Sequence, residues 1–295
     1  MGALEVLATG PLTTVQDHGR PGRFRYGVGV AGAADRSALA LANRLVGNPP
    51  GHAALEVLLG GLEVRASAPL VVAVTGAPAA STVDEAPVPH SSVLLLDPGQ
   101  VLRLALARTG LRSYVAVRGG FAVAPVLGSC SRDTLAGLGP EPLRPGDRLP
   151  VGPPPPRRPA LHTAPVAAPA TGTVTVGVLL GPRADWFTDP TVLFTGTWTV
   201  TPDSDRVGLR LHRPDGQRGL ERSRHDELPS EGVARGSLQV PPSAQPVLFG
   251  PDHPVTGGYP VIGVVRDADL DRLAQVRPGQ SLRLRAVPAR KVTDP

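Results

Sequence analysis

Every apolar run in this sequence is short. The longest, such as Leu70–Val74, have the length of a β-strand, and Gly, Pro or Asp bounds them. The chain carries 35 glycines and 35 prolines among its 295 residues, with no strict period. That pattern predicts many turns and short strands rather than long helices. Hydrophobic residues make up 41% of the chain, enough for packed cores. Aromatics are only 3%, so Val, Leu and Ala must fill those cores. No run is long enough to cross a bilayer as a helix. The segment Met1 to Val15 lacks a basic start and a long apolar stretch, so no signal peptide is expected and the expected location is cytoplasmic.

A proline- and alanine-rich stretch, Pro150 to Gly172, has no periodicity and reads as a stiff, extended linker. It predicts an N-terminal domain over 1–149, a linker over 150–172, a C-terminal domain over 173–287 and a tail over 288–295. In the first part, Leu4–Ala8, Leu62–Ala66, Leu70–Thr75, Ser92–Leu96, Val101–Ala107 and Tyr114–Val117 read as strands. In the second, Thr173–Leu180, Leu193–Thr201, Val207–Leu211, Ser237–Val240, Val247–Gly250, Val261–Val265 and Ser281–Ala286 do. Two helices are expected. Asp35–Asn48 places Ala38, Leu39, Ala42, Leu45 and Val46 at helical spacing behind an Asp35 cap, and Asp267–Val276 follows a cap at Asp267. The fold class is therefore mainly β, two barrel-like β domains with a few short helices.

Polar residues crowd into a few turns. Gln16, Asp17, His18 and Arg20 stand together beside Gly19 and Gly22. A guanidinium suits an oxyanion, and a neighbouring carboxylate can orient it or move a proton. A turn stabilised by an Asp–Arg pair accounts for the same residues. Asp35 reads first as a helix cap, and Asn43 and Glu56 read equally as structural or site-facing. Asp205 and Arg206 repeat the acid–arginine pairing. Gln239 lies on a strand, and Thr256, Gly257, Gly258 and Tyr259 form a glycine loop whose N–H groups suit either an anion nest or a plain turn.

Other chemistries lack their signatures. There is no GxSxG elbow, no HExxH, no dinucleotide fingerprint and no P-loop. The net charge is +5, but the arginines are interleaved with acids, so neither nucleic acid nor membrane is an expected partner. The single cysteine excludes a cysteine-cluster metal site, and no metal is expected. Lys291, the single lysine, stands in the tail and makes a biotinylated lysine improbable.

Taken in order, GPLTTVQDHGRPG, GVGVAGAADRSALALANRLVGNP, AALEVLLGGLEV, VAVTGA, YVAVRGGF, PVLGSCSRDTLAGLGPEPLRPGD, SDRVGLRL, LPSEGVARGSLQVPP and DHPVTGGYPVIGVV resemble one family across nearly the whole chain. It is known as the C-type subunit of 5-oxoprolinase, as biotin-dependent carboxyltransferase-like protein, as allophanate hydrolase subunit 2 and as the antagonist of a kinase-inhibitor protein. The chain departs from it in the long linker and in GAAD at 32–35, where GAMD is expected.

The resemblance implies two cyclophilin-like β-barrel domains and a hydrolase complex with A- and B-type subunits. That complex would open 5-oxo-L-proline, a small cyclic amide, to L-glutamate with ATP bound by the complex. It implies a cleft with Gln16, Asp17, Arg20 and Asp35 on one wall, and Asp205, Arg206, Gln239, Thr256, Gly257, Gly258 and Tyr259 on the other. Asp17, Arg20, Asp205 and Arg206 are the catalytic candidates and the rest bind substrate. Two alternatives stand beside it: biotin-dependent carboxyl transfer as in urea carboxylase, and a regulatory module that sequesters a kinase-inhibitor protein.

Overall fold

The computed structural model describes residues 2–156 and 161–288. Met1, four residues of the proline-rich stretch (157–160) and residues 289–295, with Lys291 and nearly all of the expected tail, lie outside them. The protein is mainly β. Residues 3–150 build two sheets. One has six strands in the order Arg148–Pro150, Ala3–Thr9, Leu62–Ala66, Val101–Leu104, Ser81–Val83, Ala86–Val88. The other has five, in the order Leu12–Gln16, Ala54–Leu58, Arg112–Val117, Leu70–Gly76, Val93–Leu96. The valines and leucines of both sheets meet in one core that includes Leu4, Val64, Leu102, Leu55, Val72 and Val115.

Residues 174–286 close into a seven-stranded barrel. Its first strand, Val174–Leu180, pairs parallel with its last, Ser281–Ala286, which seals the ring. Trp198, Leu211, Leu238, Ile262 and Leu284 fill its interior. Closing the ring removes the sheet edges that two open sheets must cover by other means.

Helix α1 spans Arg36–Leu45, and the Asp35 carboxylate accepts Ala38 N at its start, as the cap reading expects. Ala38, Leu39, Ala42 and Leu45 cover one face of the five-stranded sheet at Ala54, Ala73, Tyr114 and Ala116. The strand Arg112–Val117 is consequently buried on both faces. Alternation along it sends Ser113, Val115 and Val117 to the sheet–sheet core and Arg112, Tyr114 and Ala116 to the opposite face. Helix α2 spans Asp267–Leu273. Here the expected cap is corrected: Arg266 occupies the cap without a side-chain bond, and Asp267 lies in the first turn, where it pairs with Arg36.

The expected strand Leu193–Thr201 is also shorter than its apolar pattern suggests. Asp189 and Pro190 start a 3-10 turn, Pro190–Phe194, and Gly196 bends the chain with φ 59° before the strand Trp198–Val200 begins. Two strands, Leu12–Gln16 and Ala54–Leu58, lie inside stretches read only as polar motifs. The described part of the proline-rich stretch lies against the first domain: Val93 N donates to His162 O and Ala164 N to Ser91 O. Among the described residues no helix is long and apolar enough to cross a membrane.

The two units meet through polar contacts. The Gln275 side chain, just past α2, uses its full capacity at the junction. Its Oε1 accepts Leu111 N and Arg112 N, and its Nε2 donates to Asp35 Oδ2 and Arg112 O. Arg36 pairs with Asp267 and Asp271, and Arg277 donates to Ala107 O and Gly110 O.

Candidate functional site

Strand register places the polar residues of the junction. Across three neighbouring strands Thr14 stands opposite Glu56, and Glu56 opposite Tyr114. Because side chains alternate, these three share the sheet face that carries Arg112 and meets the barrel. Glu56 is buried, at 4% side-chain exposure. Its Oε2 accepts Ala34 N at 2.8 Å and Tyr114 Oη at 2.6 Å, while Oε1 pairs with Arg206 and, at 3.4 Å, with Arg112.

Arg206 comes from the barrel and is the hub of the junction. Its Nε and Nη2 hold Asp252 as a fork, each at 2.8 Å; Nη1 reaches Glu56, and Nη2 also reaches Gly32 O. Asp252 in turn accepts Thr134 N and Thr134 Oγ1 from the first domain. Burial alone would raise the Glu56 pKa, but the Arg206 and Arg112 guanidiniums outweigh it and hold the carboxyl below its ordinary value. Arg206 is held fully charged: burial opposes its charge, and Asp252 and Glu56 more than restore it. Asp35 goes the other way. Burial raises its pKa, and the bonds from Gln275, Ser37 and Ala38 offset only part of that.

Arg235, half-buried, adds a third guanidinium and donates to Ala33 O and Ala34 O rather than to an acid. Burial lowers its pKa, as expected for a cation without a carboxylate partner. Beside this network lies a cavity of about 260 Å³. Glu56, Arg112 and Arg206 line it together with Thr14, Ser204 and Asp205. Leucines make most of its remaining wall.

The sequence-predicted residues fall into separate groups. Asp17 does not pair with Arg20. Its carboxylate accepts Gly19 N, Ser129 Oγ, Ser131 Oγ and Cys130 N, and so fastens the loop 129–131. Arg20 is buried and donates to Val126 O and Ser131 O, while its Nη1 has no partner. Gln16 is buried beside the same loop; Nε2 donates to Thr14 Oγ1 and Arg132 O, and Oε1 is unpartnered.

Asp205 does not pair with Arg206; it accepts Val207 N and Gly208 N and shapes the turn into the next strand. Gln239 donates to Tyr259 O, and Thr256–Gly257 pairs with Glu231–Gly232 in a two-stranded ladder. A Cβ on Gly257 would stand 2.3 Å from Gln239 Nε2, so a larger residue there would displace that amide. Among the described residues no hydrogen bond joins Gln16, Asp17 or Arg20 to Gln239 or to the loop 256–259.

Short backbone segments connect these groups instead. Ala33 N donates to Asp17 O, and the neighbouring Gly32 O receives Arg206. Gly32 has φ 88° and would set a Cβ 2.9 Å from Gly19 N, so this link requires glycine. Arg112, Tyr114, Arg235, Asp252 and Gln275 were not among the predicted site residues. For Arg112, Tyr114 and Glu56 the signal was present, as polar groups at alternate positions of otherwise apolar strands.

A family model described as carboxyltransferase domain, subdomain A and B, matches residues 26–286. The chain is 37% identical over 284 residues to the 5-oxoprolinase C subunit of Escherichia coli, covering 95% of this chain and 89% of that one. It is 35% identical to the 5-oxoprolinase C subunit of Haemophilus influenzae, covering 96% and 91%. The crystal structure of the Kluyveromyces lactis urea carboxylase superimposes with a TM-score of 0.90 at 29% identity; this chain spans 97% of its own length there and 27% of that protein.

Proposed function

The chain belongs to the carboxyltransferase domain family, subdomains A and B, and on that basis we propose that it serves as the C subunit of a 5-oxoprolinase. In this reading it acts with A- and B-type subunits in the cytoplasm to convert 5-oxo-L-proline to L-glutamate. The observation that carries the reading is the match in extent. The chain corresponds to 89% and 91% of two subunits of that name, but to 27% of the urea carboxylase, where it is one part among others.

The junction between the units supports an amide-binding role. Arg206 and Asp205 border a leucine-walled cavity, whose apolar surroundings strengthen hydrogen bonds to a small ligand. Asp17, Arg20 and Gln16 act on that cavity at a distance, by fixing the loop that carries Thr134 to Asp252. Asp35 acts through Gln275, whereas Gln239 and the loop Thr256 to Tyr259 do not line that cavity.

The residues present do not fit a nucleotide triphosphate. Helix α1 opens on the Asp35 carboxylate, which occupies Ala38 N and repels an anion. No lysine lies among the described residues. In this reading ATP is bound by the complex rather than at α1 of this chain.

A second reading has one observation in its favour, the TM-score of 0.90 to a urea carboxylase. There the same cavity would accept a small amide during biotin-dependent carboxyl transfer, with the biotin carried on another chain. Co-expression with A- and B-type 5-oxoprolinase subunits separates the two. Glutamate release from 5-oxoproline that requires ATP and stops when this chain is omitted is the expected result. An assembled complex that releases no glutamate but accepts carboxyl from carboxybiotin would transfer the assignment to the second reading, and neither activity would leave regulation.

A further inference from the structure

Of the two guanidiniums that line the cavity, Arg112 has an unused donor. Its side chain is 6% exposed; Nη1 donates to Ala274 O, Nε faces Glu56, and Nη2 makes no hydrogen bond among the described residues. Arg206, by contrast, spends every nitrogen on Asp252, Glu56 and Gly32. Glu56 is saturated by four donors and offers nothing to a ligand. Asp205, the other carboxylate of the cavity lining, is held by Val207 N and Gly208 N. The Nη2 of Arg112 is the charged donor left for a ligand carboxylate.

The cavity walls add a second specification. Thr14 Oγ1 accepts Gln16 Nε2, and Ser204 Oγ accepts Arg210 N. Each hydroxyl accepts one bond and has its proton without an acceptor among the described residues, so both are able to donate to a ligand in the cavity they line. Leu12, Leu58, Leu111 and Leu209 supply apolar surface for methylene groups. At about 260 Å³ the space lies just under the roughly 300–1,000 Å³ of pockets for drug-sized ligands.

We propose that this cavity is the substrate subsite for a small γ-lactam carboxylic acid, with Arg112 pairing its carboxylate and Thr14 and Ser204 donating to its carbonyl. The ligand class rests on the oxoprolinase reading; the cavity, its unused cation and its two donors do not.

Two measurements keep the two apart. In an assembled complex that releases glutamate, Arg112→Gln raises KM for 5-oxoproline about tenfold or more, and Thr14→Val raises it about threefold, with kcat nearly unchanged. Leu209→Trp, which fills the cavity without touching a charge, raises KM as well and keeps the test informative if Arg112→Gln fails to fold. KM unchanged in Thr14→Val and Leu209→Trp overturns the subsite and leaves the subunit reading standing. If the complex releases no glutamate, calorimetric titration of the full chain with 5-oxoproline and with 2-pyrrolidinone decides. Binding of the acid about tenfold tighter than the lactam without a carboxylate, lost in Leu209→Trp, supports the subsite although the reaction is another. Equal binding of the two, or none, overturns it.

Discussion

The two arginines that the sequence sets beside an aspartate end in opposite electrostatic situations. Arg20 is buried among backbone carbonyls, with Val126 O and Ser131 O as its acceptors and one nitrogen unused. Arg206 is buried among carboxylates, Asp252 and Glu56, and uses all of its nitrogens. Neither pairs with its sequence neighbour: Asp17 and Asp205 both turn to backbone N–H groups instead. An acid next to an arginine in a turn is thus as much a cap for the chain as a partner for the cation. The Arg20 loop is organised within one domain, whereas the Arg206 centre spans both, and loss of Arg206 strands charges that loss of Arg20 does not.

The largest test of that contrast is Arg206→Met. It leaves Glu56 and Asp252 buried without their shared cation, and a loss of about 3–5 kcal/mol in urea unfolding is expected. A loss under about 1 kcal/mol would mean that the junction reorganises around water and that the hub is not Arg206. Arg20→Met removes two bonds to carbonyls but orphans no carboxylate, so about 1–3 kcal/mol is expected by the same measurement. Should it cost as much as Arg206→Met, the distinction between the two centres collapses.

Tyr114→Phe probes the Arg206 side more finely. The hydroxyl links Asp35 N to Glu56 Oε2, and its removal is expected to cost about 1–2 kcal/mol. It should also reduce the acid resistance that Glu56 provides. With its folded pKa held below the ordinary 4.5, Glu56 contributes stability that is present above that value and lost as pH falls through the folded pKa. Unfolding midpoints followed downward from pH 4.5 report this.

The smallest effect is expected from Asp35→Asn. The folded pKa of Asp35 is raised above 3.8, so the stability linked to its protonation is present below that pH and lost as pH rises through the folded value. Asparagine keeps the cap through Oδ1 but loses the Gln275 contact, because its Nδ2 and Gln275 Nε2 are both donors, and removing a buried charge offsets that loss. The variant should be within about 1 kcal/mol of the parent near neutrality and show a flatter pH dependence above 3.8.

Much of the architecture could be read locally. The Asp35 cap and the helical spacing behind it placed α1, since both depend on residues within a few positions of each other. The short valine and leucine runs placed most strands. Where Leu193 to Thr201 was expected as strand, the Asp189 cap and Pro190 start a 3-10 turn that overrides the apolar pattern. The proposed subsite was less legible. Glu56 and Arg206 were noticed; Arg112, at the start of an otherwise apolar strand, showed a polar position without showing its partner, and nothing near Asp252, in a loop, indicated one.

Strand lengths, alternation, one capped helix and the family blocks were therefore already written in the order of the residues. Those properties depend on backbone preferences and on neighbours one turn or one pleat away. The pairing of charges had to wait for the folded chain. Arg206 meets Asp252 across 46 positions and Glu56 across 150, and a guanidinium in the chain carries no record of which distant carboxylate will be desolvated with it. Burial makes such a pairing obligatory, and burial exists only once the barrel has closed against the sheet.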